Sequence, residues 1–140
     1  GGGAGVEWYF GYKYAHMDLN CEDWRSRDRM WDQTRHALEF FRSHLPFWEM
    51  TPHSVKVEPG TARVLAKAGE VYAVQLPKGG SARLELAPGS YTVEWYDPRA
   101  GGALRTGSVA MVTGGGMASL GAPPADAGKD WVVLVKRRAN

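Results

Sequence analysis

Between residues 16 and 23 the chain crowds His16, Asp18, Asn20, Glu22 and Asp23 into one short stretch, a set of donors that could approach a hard cation. Such cations take six to eight oxygens at defined intervals, and this spacing matches no cation loop. The same residues are suited to capping a helix, so no metal is expected. Cys21 stands beside Glu22 and Asp23, whose charges disfavour its thiolate; an inert thiol is the expectation. His36, His44 and His53 have no acid or nucleophile at a recognisable spacing, so no catalytic role follows from them. The opening GGGAGVEWYFGY is glycine-rich, but a dinucleotide-binding loop must follow a strand and open a helix, because the phosphates sit on the helix N-terminus. Here strand-like residues follow the glycines, and no cofactor is expected.

The elements that would carry these residues divide near position 50. Residues 22–45 place Trp24, Trp31, Leu38 and Leu45 seven apart, with Met30, Thr34, Ala37 and Phe41 at the intervening helical positions. This predicts a long amphipathic helix, capped by Asn20 or Asp23 and stopped by Pro46. On its polar side Arg29/Asp32, Asp32/Arg35 and Arg35/Glu39 are helical neighbours, each pair adding roughly 0.2–0.5 kcal/mol. Beyond Pro52 the period drops to two. The runs RVLAKAG, EVYAVQL, ARLEL, SYTVEWY, GSVAMV and WVVLVKR read as short strands, in all about seven, and predict a small antiparallel β-sandwich. Lys78-Gly79-Gly80 reads as a hairpin turn, Pro88-Gly89 as a type II turn, and Asp97-Pro98 with Gly101-Gly102 as a turn and loop. Tyr91, Val93 and Trp95 should face the core, with Val64, Val74, Leu84, Val133 and Val135 completing it. The joint LPFWEMTPHS is too apolar for a free linker, and Phe47, Trp48 and Met50 are expected to pack the helix against the sandwich.

Composition sets outer limits. The 140 residues are 44% hydrophobic with six Trp and six Tyr, enough for a folded core. Net charge is +2 with both signs interspersed and only Lys136-Arg137-Arg138 as a basic block, so no nucleic-acid footprint is read. A single cysteine excludes an intramolecular disulfide framework. No apolar run approaches the length of a membrane span, and no secretory signal is visible. If the protein is exported, its signal is expected upstream of Gly1. The aromatic strand Val6–Tyr12, with apolar residues on both sides and Glu7 in its middle, followed by a loop and a helix, is one βα unit of a parallel sheet or barrel. Such a unit cannot satisfy its backbone alone, so the chain is expected to begin inside a larger domain.

Residues 2–50, GGAGVEWYFGYKYAHMDLNCEDWRSRDRMWDQTRHALEFFRSHLPFWEM, resemble the end of the (β/α)8 barrel of bacterial glycoside-hydrolase-like proteins. The segments LAKAGEVYAVQLPKGGSARLEL, GSYTVEWYDPRAGG and WVVLVKR resemble the small C-terminal module described as the collagen-binding domain of a collagenase. The resemblance implies two domains, 1–50 as the last barrel strand and helix and 51–140 as the sandwich. The overall fold class is then mainly β: a small antiparallel β-sandwich preceded by a strand, loop and long helix left over from a barrel. It implies a secreted or periplasmic parent, and a chain without catalytic residues, because the strands bearing the two carboxylates of such barrels lie upstream. The remaining site candidates are Glu7, Trp8, Tyr9 and Tyr12 at the end of a barrel strand, the rings stacking on sugar faces and Glu7 bonding hydroxyls. The expected role is a non-catalytic accessory module that braces the barrel and contacts polysaccharide, with collagen-binding adhesion as the alternative.

Overall fold

The computed structural model describes residues 24–139. They form one helix, α1 (Asp28–His44), and nine strands: β1 (Thr51–Pro52), β2 (Val57–Glu58), β3 (Arg63–Lys67), β4 (Val71–Leu76), β5 (Arg83–Leu86), β6 (Ser90–Tyr96), β7 (Met111–Thr113), β8 (Gly116–Ser119) and β9 (Trp131–Arg137). The strands build two antiparallel sheets, a six-stranded one in the order β1-β3-β4-β9-β6-β7 and a three-stranded one in the order β2-β5-β8. The protein is mainly β, as its alternating runs predict.

Strand burial explains the layering. In β5 burial alternates strictly, Leu84 and Leu86 inward and Arg83 and Glu85 outward, so that sheet is wet on one side. In β4 and β9 the runs Tyr72-Ala73-Val74 and Val133-Leu134-Val135 are buried continuously, which requires cover on both faces. The inner cover is the second sheet: Val64, Tyr72, Val74, Val93, Trp95, Trp131, Val133 and Val135 pack with Leu84, Leu86 and Leu120 in one core. All eight expected core residues lie in it. The outer cover is α1, whose Phe40, with Leu45 just beyond, packs on Leu65, Ala73, Tyr96 and Leu134. The order is therefore helix, large sheet, small sheet.

Several local expectations change. The helix opens later than residue 22: a 3-10 turn, Trp24–Arg27, precedes α1, and the capping position is Arg27, with no side-chain cap bond. At the other end Leu45 turns extended, its N–H donating to Phe41 O, and Pro46 follows. Arg35 bridges Asp32 (3.1 Å) and Glu39 (3.0 Å), two of the three foreseen pairs. Lys78-Gly79-Gly80 does not close a hairpin. It carries the chain from β4 in one sheet to β5 in the other, with Gly79 and Gly80 at φ +66° and +85°. A side chain at Gly79 would strike the carbonyls of Ala127 and Lys129, so glycine is required there on two counts. Pro88-Gly89 likewise crosses between sheets, and Gly89 at φ +151° departs from the value near +80° of a type II turn. The Asp97–Gly102 turn is as read, closed by Gly101 N donating to Asp97 O at 2.8 Å.

Candidate functional site

Glu7, Trp8, Tyr9 and Tyr12 lie outside the described residues, as do His16, Cys21 and the acids around it. Within residues 24–139 the helix layer has the most unusual surface, because α1 carries two apolar stripes. Successive helical residues turn by about 100°, so Met30, His36, Ala37 and Phe40 share one side while Trp31, Leu38 and Phe41 share an adjoining one. In the first set Met30, His36 and Phe40 are buried, and Phe40 packs on the large sheet. Of the expected heptad, Trp31 and Leu38 face outward at 45% and 43% exposure, while Leu45 is buried against the large sheet.

Polar contacts lock the inner stripe in place. Tyr96 Oη, from the outer face of β6, donates to the His36 carbonyl at 2.9 Å in a buried setting, and the Tyr96 ring packs on Phe40 with centroids 4.7 Å apart. Burial, followed by the charge of Glu39, pushes the Tyr96 hydroxyl above the ordinary tyrosine range. The Arg35 guanidinium donates to His36 Nε2 at 3.2 Å, which leaves the ring proton on Nδ1, a buried atom without a partner. His44, at the end of the helix, is lowered by burial and then by Lys136, with Glu94 opposing. His53 is exposed at φ +51°. The three histidines thus serve separate surroundings.

The close approach of helix and sheet depends on Gly101. Its φ is +67°, and a Cβ there would stand against the His36 imidazole. Gly102, at φ +87°, has open space instead. Gly101→Ala should destabilise by more than Gly102→Ala, since both pay left-handed strain of roughly 1–3 kcal/mol while only Gly101 adds overpacking of about 1–3 kcal/mol. Thermal unfolding of the two variants measures the difference; equal losses would show that His36 can move aside.

The joint is also different from expectation. Phe47 and Trp48 do not pack the helix against the sandwich; they point outward at 43% and 72% exposure, and Leu45 and Met50 take the inner position. A 3-10 turn over Phe47–Glu49 causes this, closed by Glu49 N to Pro46 O and Met50 N to Phe47 O. The exposed rings form a ladder, Phe41 to Phe47 at 6.0 Å and Phe47 to Trp48 at 5.2 Å. Trp48 Nε1 donates to Glu49 Oε1 at 3.0 Å, and Glu49 Oε2 is held by Lys67 of β3 at 2.8 Å. Lys67 is held above the ordinary lysine range by Glu49 and then Glu70, and Glu49 is lowered by Lys67 in return. The indole is therefore exposed but fixed.

Open concavities of about 460 and 470 Å³ lie beside Glu70, Val71 and Lys136 and beside Gly69, Tyr72 and Leu86. Between α1 and the large sheet lies a cavity of about 240 Å³, lined by Ala37, Phe40, Leu65, Ala73, Tyr96 and Val132 among others. That is smaller than the usual 300–1,000 Å³ of a small-molecule site. The sheet aromatics Tyr72, Tyr91, Trp95, Tyr96 and Trp131 are all buried and offer no platform.

The fold and this surface define a β-sandwich module with a helix fastened to one sheet. Residues 54–136 match the family described as "Putative collagen-binding domain of a collagenase", more than half of the chain, and the protein belongs to that family. No curated protein matches. Among solved structures, one described as "Glycoside hydrolase" is similar with a TM-score of 0.63 at 15% identity, covering 84% of this chain and 28% of that one. A glycoside hydrolase family 5 protein from Bacteroides vulgatus ATCC 8482 is similar with a TM-score of 0.59 at 15% identity, covering 78% and 24% respectively. At such identity the likeness is one of fold. The chain spans about a quarter of the length of these solved proteins.

Proposed function

We propose that the chain is the non-catalytic accessory end of a longer, secreted glycoside-hydrolase-like protein, in which the sandwich braces a (β/α)8 barrel. The observation that carries this reading is the reach of the fold likeness. It covers 84% of the chain, more than residues 54–136 alone can supply, and so extends past the sandwich family's span. Helix and sandwich behave as one unit, bonded through Tyr96 and His36. On this reading residues 1–50 are the last strand and helix of the barrel and 51–140 the accessory sandwich. Glu7, Trp8, Tyr9 and Tyr12 would then stand at the rim of the barrel, where ends of strands build the active site and rings stack on sugar.

The coding sequence upstream of Gly1 tests this. Seven further strand–helix units behind a secretory leader are expected; an unrelated upstream domain would sink the proposal. The isolated chain should turn over neither aryl glycosides nor gelatin, because the carboxylate pair would lie upstream. Turnover by the pure chain, lost in Glu7→Gln, would overturn that expectation.

Collagen-binding adhesion is the second reading, favoured by the family's own description. A triple helix of PPII-like chains calls for an exposed aromatic trench, and the sheet aromatics are buried. Co-sedimentation with fibrillar collagen and with insoluble polysaccharide separates the two, and retention on collagen alone would favour adhesion.

A further inference from the structure

We infer that the cavity between α1 and the large sheet is a binding site for a small aromatic carboxylate, a single ring carrying a short acid chain. Helix and sheet each build one wall. Ala37, Phe40 and Phe41 of α1 form the first, and Leu65, Ala73 and Val132 of β3, β4 and β9, with the Tyr96 ring, form the second. Protein interiors leave few voids larger than a water molecule, yet about 240 Å³ stays open here beside residues as buried as Phe40, Leu65 and Tyr96. Each wall sets an alanine, Ala37 or Ala73, among larger neighbours, and this leaves the space.

Walls and mouth together select the ligand. The volume is below that of a drug-sized site, but an apolar cavity of about 150 Å³ already takes up benzene, so one ring with a short chain is the matching size. Phe40, Phe41 and Tyr96 offer ring faces and edges, and aromatic pairs gain more than their buried area alone. Tyr96 Oη is engaged by the His36 carbonyl, so the part of the ligand that enters must be apolar. The mouth is polar. Arg63 and Gln75 line the cavity and are exposed, which places them where it opens to solvent. Arg63 is the one charged residue of the lining. Among the described residues its guanidinium meets no carboxylate, only Gln75 Oε1 at 3.4 Å. A guanidinium presents a planar fork of donors matched to a carboxylate, and the Gln75 NH2 adds another donor beside it. The acid end of the ligand therefore belongs at Arg63 and its ring between the two alanines.

Titration of the isotope-labelled 140-residue chain with 3-phenylpropionate, followed by amide NMR at neutral pH, tests the site. Saturable shifts are expected at Ala37, Leu65, Ala73 and Val132, with the neutral 3-phenylpropionamide binding about fivefold more weakly, the scale of one exposed ion pair. Arg63→Met should erase that preference for the acid while both probes still bind. Ala37→Leu fills the cavity from the helix side and should abolish binding of both, with the unfolding midpoint unchanged or raised, because leucine suits a helix and fills empty space. No shifts up to millimolar probe, shifts that map elsewhere, or equal affinity for acid and amide in the parent would overturn the proposal. So would undiminished binding by a folded Ala37→Leu, an acid preference that survives Arg63→Met, or shifts of the same amides that grow with protein concentration alone, which would assign the space to a second copy.

Discussion

Replacing Trp95 by alanine should destabilise the chain by about 3–5 kcal/mol, the range for truncating a buried aromatic, as measured by urea unfolding of the 140-residue protein. Trp95 is fully buried in the centre of the sandwich and meets Trp131 edge-on, with centroids 6.2 Å apart at 79°. Such pairs add about 0.5–1.5 kcal/mol beyond their buried area, so Trp131→Ala should cost a similar amount and the double variant less than the sum. The indole Nε1 of Trp95 is buried without a partner, and an unmet donor costs about 1–3 kcal/mol. Trp95→Phe, which removes that donor and keeps most of the volume, should therefore be far milder than Trp95→Ala. A near-neutral Trp95→Ala would mean that the two sheets close without it.

The second large effect is expected at Asp97, which ends β6 and organises the turn after it. Its carboxylate accepts from Arg99 Nε and Nη2, both at 2.8 Å, from Arg99 N at 2.9 Å and from Ala100 N at 3.3 Å. Burial pushes this carboxyl upward, but the bonds from the Arg99 side chain and the two amides outweigh it and hold it below the ordinary carboxylate range. Asp97→Ala leaves Arg99 with the more distant carboxylates Asp130 at 3.5 Å and Asp126 at 4.0 Å and the Trp131 ring face, and a loss of roughly 3 kcal/mol is expected, the scale for breaking a largely buried pair. The sign with pH follows from the depressed value. The unfolded carboxyl takes up its proton first, so this contribution is complete above the ordinary aspartate range and is lost as pH falls through it to the lower folded value. Acid titration of unfolding free energy should show a steeper fall below about pH 4 in the parent than in Asp97→Asn. Parallel curves would show that Asp97 carries no linked proton.

Strands β3, β4, β5, β6 and β9 were legible because each alternates or is continuously apolar over four or more residues. Strands β1 and β2 have two residues each, too few for any period, and β1 includes Pro52, which suits an edge. Strand β8, Gly116–Ser119, follows glycines and has little β-forming character of its own; pairing with β5 holds it. Glycines at 79–80 and 89 announce a change of direction, but a crossing between sheets and a hairpin use the same residues, so the sheet assignment is settled only by packing. The helix shows the same limit. The heptad of large apolar residues marks Trp31 and Leu38 as the buried side, yet the sheet takes the stripe with His36, because Tyr96 finds the His36 carbonyl and Gly101 makes room for its ring. The burial of Tyr96 and Asp97 depends on those partners and has no local signal. Glu7, Trp8, Tyr9 and Tyr12 rest on resemblance alone.

The position of β9 has a consequence for biosynthesis. The last strand lies in the middle of the large sheet, in register with β4 from Val71↔Lys136 to Leu76↔Trp131 and with β6 from Tyr91↔Arg137 to Tyr96↔Val132. Until residues 131–137 leave the ribosome, β4 and β6 have no common neighbour and their inner and outer faces cannot be sealed together. Domains emerge from translation N-terminal first, so anything upstream can finish folding before this sandwich begins. A frameshift or nick ahead of Trp131 would leave no smaller sandwich behind, only two unjoined halves with open edges, the kind of species that quality-control proteases and aggregation both act on.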